Sequence, residues 1–270
     1  MPVLPERPPQ GIAARLVFQL RLYFIAQQFF TRLPIPAWVG FEAAWLQHAS
    51  RYFPAVGLLV GSAAAGVYLL AALLLPHTVA ILLSVAASIY LTGAFHEDGF
   101  ADTCDGMGGG STRERVLEIM SDSRIGAYGA IGIGLLLATK VAALAALPGP
   151  VVIAALLLAH PLSRLCATAL IWRLDYAKGH GKAKPLAQRM QGSEFLIALL
   201  TVVVVAAVLL MIGALQPAAL AAGCGAAVLM SAWLARKFVR RIGGYTGDCL
   251  GAVQQVSEVA CYLALLASLS

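Results

Sequence analysis

Charged side chains are scarce in this sequence. They make up only 12% of the 270 residues, whereas an ordinary soluble domain carries roughly 25%. Hydrophobic residues account for 60% of the chain, and the mean hydropathy is +0.82. This composition excludes an ordinary soluble globular domain and indicates an integral membrane protein.

Paired cysteines and a secretory signal are also missing. The five cysteines show no CxxC or paired spacing, so neither a disulfide framework nor a zinc site is predicted. Four prolines in the first nine residues predict a disordered leader over residues 1–11, with no small-residue cleavage site. The net charge of +6 does not indicate nucleic acid, because the basic residues flank apolar segments, where topology and anionic lipid headgroups account for them.

Long apolar runs are what the sequence does contain. A run of about 20 such residues suffices to span a bilayer as a helix. The segment from Ile12 to Leu33 is apolar too, but carries scattered polar residues, so we interpret it as an interfacial or re-entrant helix. We therefore predict an all-α, polytopic helical membrane protein, with residues 12–270 forming one membrane-embedded catalytic domain. The seven predicted spans are about 53–75, 78–95, 125–147, 150–172, 195–214, 217–235 and 250–268.

Basic residues are distributed unevenly around these spans. Of the nineteen Lys and Arg, only Lys140 and Arg164 lie inside a predicted span, and the others lie before the first span or in the long loops. The alternate short turns carry none. By the positive-inside rule, the N-terminus and all long loops face the cytoplasm. This pattern predicts a multi-pass membrane protein whose N-terminus and candidate site face the cytoplasm.

Four of the thirteen acids fall within nine residues, between Glu97 and Asp105. If the preceding helix continues, Asp98, Asp102 and Asp105 lie at i, i+4 and i+7, within about a 60° arc of one face. They would repel one another and would sit at a helix C-terminus, where the dipole is also negative. A bound Mg²⁺ would resolve both problems. The alternative is a solvated loop whose acids balance nearby arginines.

The segment that follows holds three further candidates. Gly108 and Gly109 belong to a glycine-rich stretch whose backbone N–H groups would cradle phosphate, although a plain flexible connector is equally consistent with it. Asp122 is either a helix cap or a fourth carboxylate, acting as metal ligand or as base.

Two basic residues and one more acid complete the candidate set. Arg124 serves either as a topogenic charge or as a clamp on phosphate. Arg164 lies within a predicted span, where charge is costly and often faces a functional cavity. Lys140 is expected to snorkel to the outer surface. Asp248 follows a second glycine-rich segment and would border the same cavity.

These residues resemble the signature of a known family. The stretch from His96 to Gly106, continued by residues 118–126, is similar to the central motif of cobalamin synthase, also called adenosylcobinamide-GDP ribazoletransferase. Residues 30–36 and 243–252, with Glu258, match flanking parts of the pattern, so the resemblance spans nearly the whole chain. It implies a membrane-bound, Mg²⁺-dependent enzyme that joins adenosylcobinamide-GDP to α-ribazole or its 5′-phosphate, releasing GMP.

Our hypothesis for the site follows from that chemistry. Asp98, Asp102 and Asp105 would hold one or two Mg²⁺ ions, with Asp122 as a further ligand or as the base. Arg124 and Arg164 would stabilise phosphate charge. The expected partners are the two substrates and the lipid bilayer, but no nucleic acid. Association into a homo-oligomer is left open.

Two other classes of membrane protein compete with this interpretation. A CDP-alcohol phosphotransferase also uses an aspartate-rich motif at the membrane surface, but Phe95 and Asp102 stand where its pattern wants Asp and Arg. A small-molecule transporter would explain the many spans and Arg164. Its usual hallmarks, repeated halves or broken helices around a midplane site, are not evident in the sequence.

Overall fold

A computed structural model describes residues 11–40, 42–178 and 190–269 of the chain. These residues form eleven α-helices and no β-strand, which confirms the all-α prediction. The predicted leader and most of the basic loop 173–189 lie outside the described residues. The helices are α1 Ile12–Phe30, α2 Ala43–Ala49, α3 Phe53–Ala72, α4 His77–Thr92, α5 Phe95–Gly109, α6 Arg113–Ile119, α7 Ala127–Ala145, α8 Gly149–Arg173, α9 Gly192–Met211, α10 Pro217–Ile242 and α11 Gly247–Ala267.

Local sequence explains where several long helices begin and end. Pro54, Pro150 and Pro217 occupy the first turns of α3, α8 and α10, where a missing N–H leaves no hydrogen bond unmade. The side chain of Thr246 accepts a hydrogen bond from the N–H of Cys249 and caps α11. Gly243 ends α10 in the left-handed conformation, with φ of 77°.

Among the described residues, six helices are long and apolar enough to cross a membrane. A seventh span requires α4 and α5 to be counted together, but these two helices bend by 88° at residues 93–94. Each of the seven predicted runs therefore corresponds to a helix, and a multi-pass membrane protein is confirmed. The six are Trp45–Ala72, Ala127–Ala145, Gly149–Arg173, Gly192–Met211, Pro217–Ile242 and Gly247–Ala267.

Helix α8 is the centre of the bundle. It is the most enclosed of the spans and packs extensively on α3 and α11. Glycines permit the close contact with α3: a Cβ on Gly57 would lie 2.5 Å from the carbonyl oxygen of His160, and one on Gly61 would lie 2.6 Å from that of Leu156. Because α8 is surrounded by other helices, its polar side chains face protein rather than lipid.

The N-terminal helix α1 packs on α2 and α3 and ends beside the start of α5. Thr31 stops it: the residue is extended, and its hydroxyl donates to the carbonyl oxygen of Gln27 at 2.8 Å. Helix α1 is not among the helices that could cross a membrane. Its interfacial or re-entrant position stays a prediction.

Candidate active site

The acidic motif lies on a separate short helix. Gly93 and Ala94 both adopt the left-handed conformation, which ends α4 and turns the chain into α5. A Cβ on Gly93 would lie 2.8 Å from Nε of Arg32. The expectation that the preceding helix runs on through the acids, placing them at its C-terminus, is wrong. Glu97 and Asp98 instead occupy the first turn of α5, where the helix dipole favours negative charge.

A cavity of about 380 Å³ opens beside α5, where the ends of α1, α3 and α11 meet the loop after α6. Four of the predicted residues give it an acidic wall: Asp98, Asp102, Asp122 and Asp248. Phenylalanines from α1, α3 and α5 form an apolar wall, and Arg164 and Lys178 supply positive charge. The cavity thus combines carboxylates, cations and aromatic rings, a set that suits a phosphorylated substrate with an apolar part.

Asp102 is the carboxyl group most affected by its surroundings. Burial, followed by the negative charges of Asp98 and Asp248, raises its pKa from 3.8 to about 7. Helices α5 and α11 approach closely here: a Cβ on Gly99 would lie 3.0 Å from Cα of Asp248, so glycine at this position permits the contact. Negative charge is therefore concentrated at this wall, and a bound cation would relieve the repulsion.

Asp105 lies away from the cavity, contrary to the prediction that it completes the metal-binding triad. Its side chain is buried, and its two carboxylate oxygens accept hydrogen bonds from the backbone N–H groups of Gly126 and Gly129 at 2.7 and 2.8 Å. It thereby satisfies free N–H groups at the start of α7. The regular spacing of the three aspartates concealed this difference. Asp248, from another helix, takes the third place in the wall.

The glycine-rich stretch is helical rather than a loop. Gly108 and Gly109 belong to the last turn of α5, and neither lines the cavity. A Cβ on Gly108 would lie 2.6 Å from the ring of Tyr128, so the residue permits close packing against α7. The predicted phosphate cradle is not formed in this structure.

Asp122 lines the cavity, whereas Arg124 points into solvent. The two carboxylate oxygens of Asp122 accept hydrogen bonds from Nε and Nη2 of Arg124, at 3.0 and 2.7 Å. These bonds lower the pKa of Asp122 to about 2. A carboxylate held so strongly in its ionised form is a poor proton acceptor, which disfavours the general base role.

Asp248 and Lys178 form an ion pair at the mouth of the cavity. Nζ of Lys178 lies 3.1 Å from Oδ2 of Asp248, which also accepts a hydrogen bond from the hydroxyl of Thr246 at 3.2 Å. The side chain of Lys178 is half-buried and belongs to the site.

Arg164 and His96 form the floor of the cavity. Arg164 is only 2% exposed, and its guanidinium lies 5.9 Å from the ring of Phe30. His96 is buried and stacked on Phe30, with 5.2 Å between the ring centroids, and it also lines the cavity. Its Nε2 has no hydrogen-bond partner among the described residues.

Lys140 does not snorkel outward. It is 3% exposed and pairs with Glu258, Nζ to Oε1 at 3.0 Å, deep within the bundle. Glu258 lies beneath the cavity. The pairing has no local signature, because the two residues are far apart along the chain.

The donor chemistry of the acidic wall fits Mg²⁺. Among the described residues, no three His, Cys, Asp or Glu side chains converge as a ready metal-binding group. Mg²⁺ is commonly held by one or two carboxylates together with waters and substrate phosphates, and not by a cage made only of protein. Asp98 and Asp102, whose negative charges repel each other, provide such a partial site.

Fold and site together define a polytopic helical membrane protein with an acidic pocket of the type suited to phosphoryl transfer. The model of the cobalamin-5-phosphate synthase family matches residues 22–266. The chain therefore belongs to the cobalamin-5-phosphate synthase family, an enzyme family, as the motifs predicted. No solved structure matches the chain significantly.

Curated relatives cover almost the whole chain. An adenosylcobinamide-GDP ribazoletransferase of Leptothrix cholodnii is 46% identical over 261 residues, covering 94% of this chain and 98% of its own. The enzyme of the same name from Shewanella frigidimarina is 46% identical over 260 residues, with 92% and 95% covered. That from Ralstonia pickettii is 47% identical over 246 residues, with 90% and 93% covered.

Proposed function

We propose that this protein transfers the phosphocobinamide group of adenosylcobinamide-GDP to α-ribazole or α-ribazole 5′-phosphate. The products are GMP and adenosylcobalamin or its 5′-phosphate. The family membership supports this assignment, and so does a cavity that joins an acidic wall to a buried arginine. That combination suits a diphosphate, which needs both a metal ion and positive side chains around it.

The reaction exchanges one oxygen on phosphorus for another. A ribose hydroxyl oxygen of α-ribazole attacks the corrinoid-side phosphorus, and the bond from this phosphorus to the oxygen of GMP breaks. The hydroxyl proton passes to a carboxylate of the acidic wall, for which Asp122 is the least suited because Arg124 holds it ionised. Arg164 at the floor neutralises phosphate charge.

Mg²⁺ is the proposed cofactor. When bound by Asp98 and Asp102 together with the diphosphate, it would neutralise charge developing on the leaving GMP. Asp248 and Asp122 belong to the same wall and would take part through ordered waters. Asp105 is left out of the metal site, because backbone N–H groups occupy both its oxygens.

We further propose that the cavity faces the cytoplasm of a bacterial inner membrane. The cavity is built from the ends of the spans that carry the basic loops, including Arg113 and Arg115 before α7 and Arg240 and Arg241 at the end of α10. The positive-inside rule places these ends in the cytoplasm.

The test is GMP release from adenosylcobinamide-GDP and α-ribazole by the purified, detergent-solubilised protein with Mg²⁺. We expect wild-type protein to form the corrinoid product and Asp102→Asn to remain folded but inactive. Glu118→Gln, on the exposed face of α6, is the matched control and should retain full turnover. Absence of GMP release from wild-type protein would contradict the function, and normal turnover by Asp102→Asn would remove that residue from the site.

A further inference from the structure

A cluster of polar side chains lies inside the bundle, beneath the cavity, where α5, α7, α8 and α11 meet. Nζ of Lys140 contacts Oε1 of Glu258 at 3.0 Å and donates to Oε1 of Gln255 at 2.8 Å. Nε2 of Gln255 in turn donates to Oε1 of Glu97 at 2.7 Å. All four side chains are buried. Burial of so much charge is costly, and in a membrane-spanning segment it usually accompanies function.

Glu258 is surrounded by hydrogen-bond donors. Besides Lys140, it accepts hydrogen bonds from the hydroxyl of Tyr262 at 3.2 Å and from Nε2 of Gln254. Nδ1 of His160 lies 3.4 Å from Oε2 of Glu258. The ammonium group of Lys140 therefore neutralises a carboxylate whose lone pairs are already engaged.

Arg164, one turn after His160 on α8, is in the opposite situation. Nη1 donates to the carbonyl oxygen of His160 at 3.0 Å, but Nε has no hydrogen-bond partner in the part of the chain that the structure describes. Within the described ranges, no carboxylate oxygen lies within 4 Å of its guanidinium. Glu258 and Glu97 act on it electrostatically from further away. A buried guanidinium without a carboxylate at the floor of a cavity is a binding group for an anion that enters that cavity.

We propose that Lys140 is a positioning residue: by neutralising Glu258, it keeps the Arg164 guanidinium unpaired and available to the diphosphate of the substrate. This inference rests on the proposed function for the identity of that anion. Arg164 binds the diphosphate, while Lys140 acts only through Glu258. The arrangement explains why Lys140 and Arg164 are buried together with two carboxylates, although of these two cations only Arg164 faces the cavity.

Without the charge of Lys140, Glu258 becomes a buried anion that has lost its ammonium partner. Among the described residues, Arg164 is then the permanently charged cation that still acts on it. The guanidinium is drawn to Glu258 and away from the cavity. Removing the charge of Glu258 as well abolishes that competition, so the second substitution repairs the first.

The experiment compares Lys140→Gln, Glu258→Gln and the double variant with wild-type protein in detergent. Glutamine at 140 keeps a donor for Gln255 and Glu258 but no charge. We expect Lys140→Gln to raise the KM for adenosylcobinamide-GDP by about tenfold, with the KM for α-ribazole unchanged, and the double variant to return within about threefold of wild type. Ser231→Ala, which removes a buried hydroxyl of α10 outside the cluster, should change neither KM.

A purely structural cluster gives a different result. In that case the double variant would be no better than Lys140→Gln, or both KM values would rise together, and either result would overturn the proposal. Binding of inorganic pyrophosphate to the same proteins provides a readout that does not need turnover. We expect Lys140→Gln to lose pyrophosphate binding and the double variant to recover it. This result would support Arg164 as the anion site even if wild-type protein formed no corrinoid product. Should Lys140→Gln fail to fold, pyrophosphate binding by the double variant equal to wild type supports the proposal, and loss of binding refutes it.

Discussion

Asp105→Asn separates the two roles that the aspartate-rich motif suggests. In the structure, Asp105 holds the start of α7 through two charge-assisted hydrogen bonds, to the N–H groups of Gly126 and Gly129. Asparagine keeps one acceptor oxygen and turns an amide N–H₂ group toward the other donor. One charge-assisted bond is lost, and the N–H of Gly126 or of Gly129 is left facing another donor.

The magnitude follows from these contacts. A hydrogen bond to a charged group contributes about 1.5–3 kcal/mol, and a buried unsatisfied donor costs a similar amount. We therefore expect Asp105→Asn to destabilise the protein by about 2–4 kcal/mol. The glycines allow no easy rearrangement, because a Cβ on Gly129 would lie 2.3 Å from Oδ2 of Asp105 and 3.0 Å from the carbonyl oxygen of Ala101.

Thermal unfolding in detergent and a Mg²⁺ titration of turnover form the assay. Asp105→Asn should unfold at a lower temperature than wild type but show the same Mg²⁺ concentration for half-maximal rate. Glu118→Gln, a surface acid in an exposed pair, should match wild type in both. An Asp105→Asn protein that is as stable as wild type but needs far more Mg²⁺ for half-maximal turnover would refute the structural role of Asp105, since Asp105 would then be a metal ligand.

Two further predictions concern the cavity. The folded-state pKa of Asp102 is raised from 3.8 to about 7, so its ionisation destabilises the metal-free protein progressively as the pH rises from about 4 to about 7, and by a constant amount above pH 7. Mg²⁺ should therefore raise the Tm more at pH 8 than at pH 5.5. An equal rise in Tm at both pH values would contradict this prediction. Gly109→Ala should leave the KM for adenosylcobinamide-GDP unchanged, because among the described residues the new Cβ would contact only Ile119, at 3.5 Å. A large increase in this KM would support the phosphate-cradle hypothesis instead.

The sequence predicted the helices well because apolar length and charge position act locally. All seven long runs appear as helices, and the motif of α5 supplied Asp98 and Asp102 correctly to the cavity wall. The break before α5 was missed, although Gly93 is a residue that commonly ends helices: it takes the left-handed conformation at the end of α4, and Ala94 follows it in the same conformation. The period of the helix alone implied that Asp105 shares the face of Asp98 and Asp102.

Long-range pairing accounts for the remaining errors. Lys140 was expected to reach outward, but its partners, Glu258 and Gln255, come from a helix more than a hundred residues later. Lys178 likewise meets Asp248 through a contact between a loop and the start of α11. Neither pairing has a local signature in the sequence, so both required the three-dimensional structure.

We propose that Asp98 and Asp102 hold Mg²⁺ jointly with the substrate diphosphate. Mn²⁺ in place of Mg²⁺ allows the bound metal to be counted by electron paramagnetic resonance, with and without adenosylcobinamide-GDP. We expect weak metal binding to the protein alone, binding at least about tenfold tighter with the substrate present, and loss of that increase in Asp102→Asn. Tight binding without substrate, or an unchanged increase in Asp102→Asn, would contradict it.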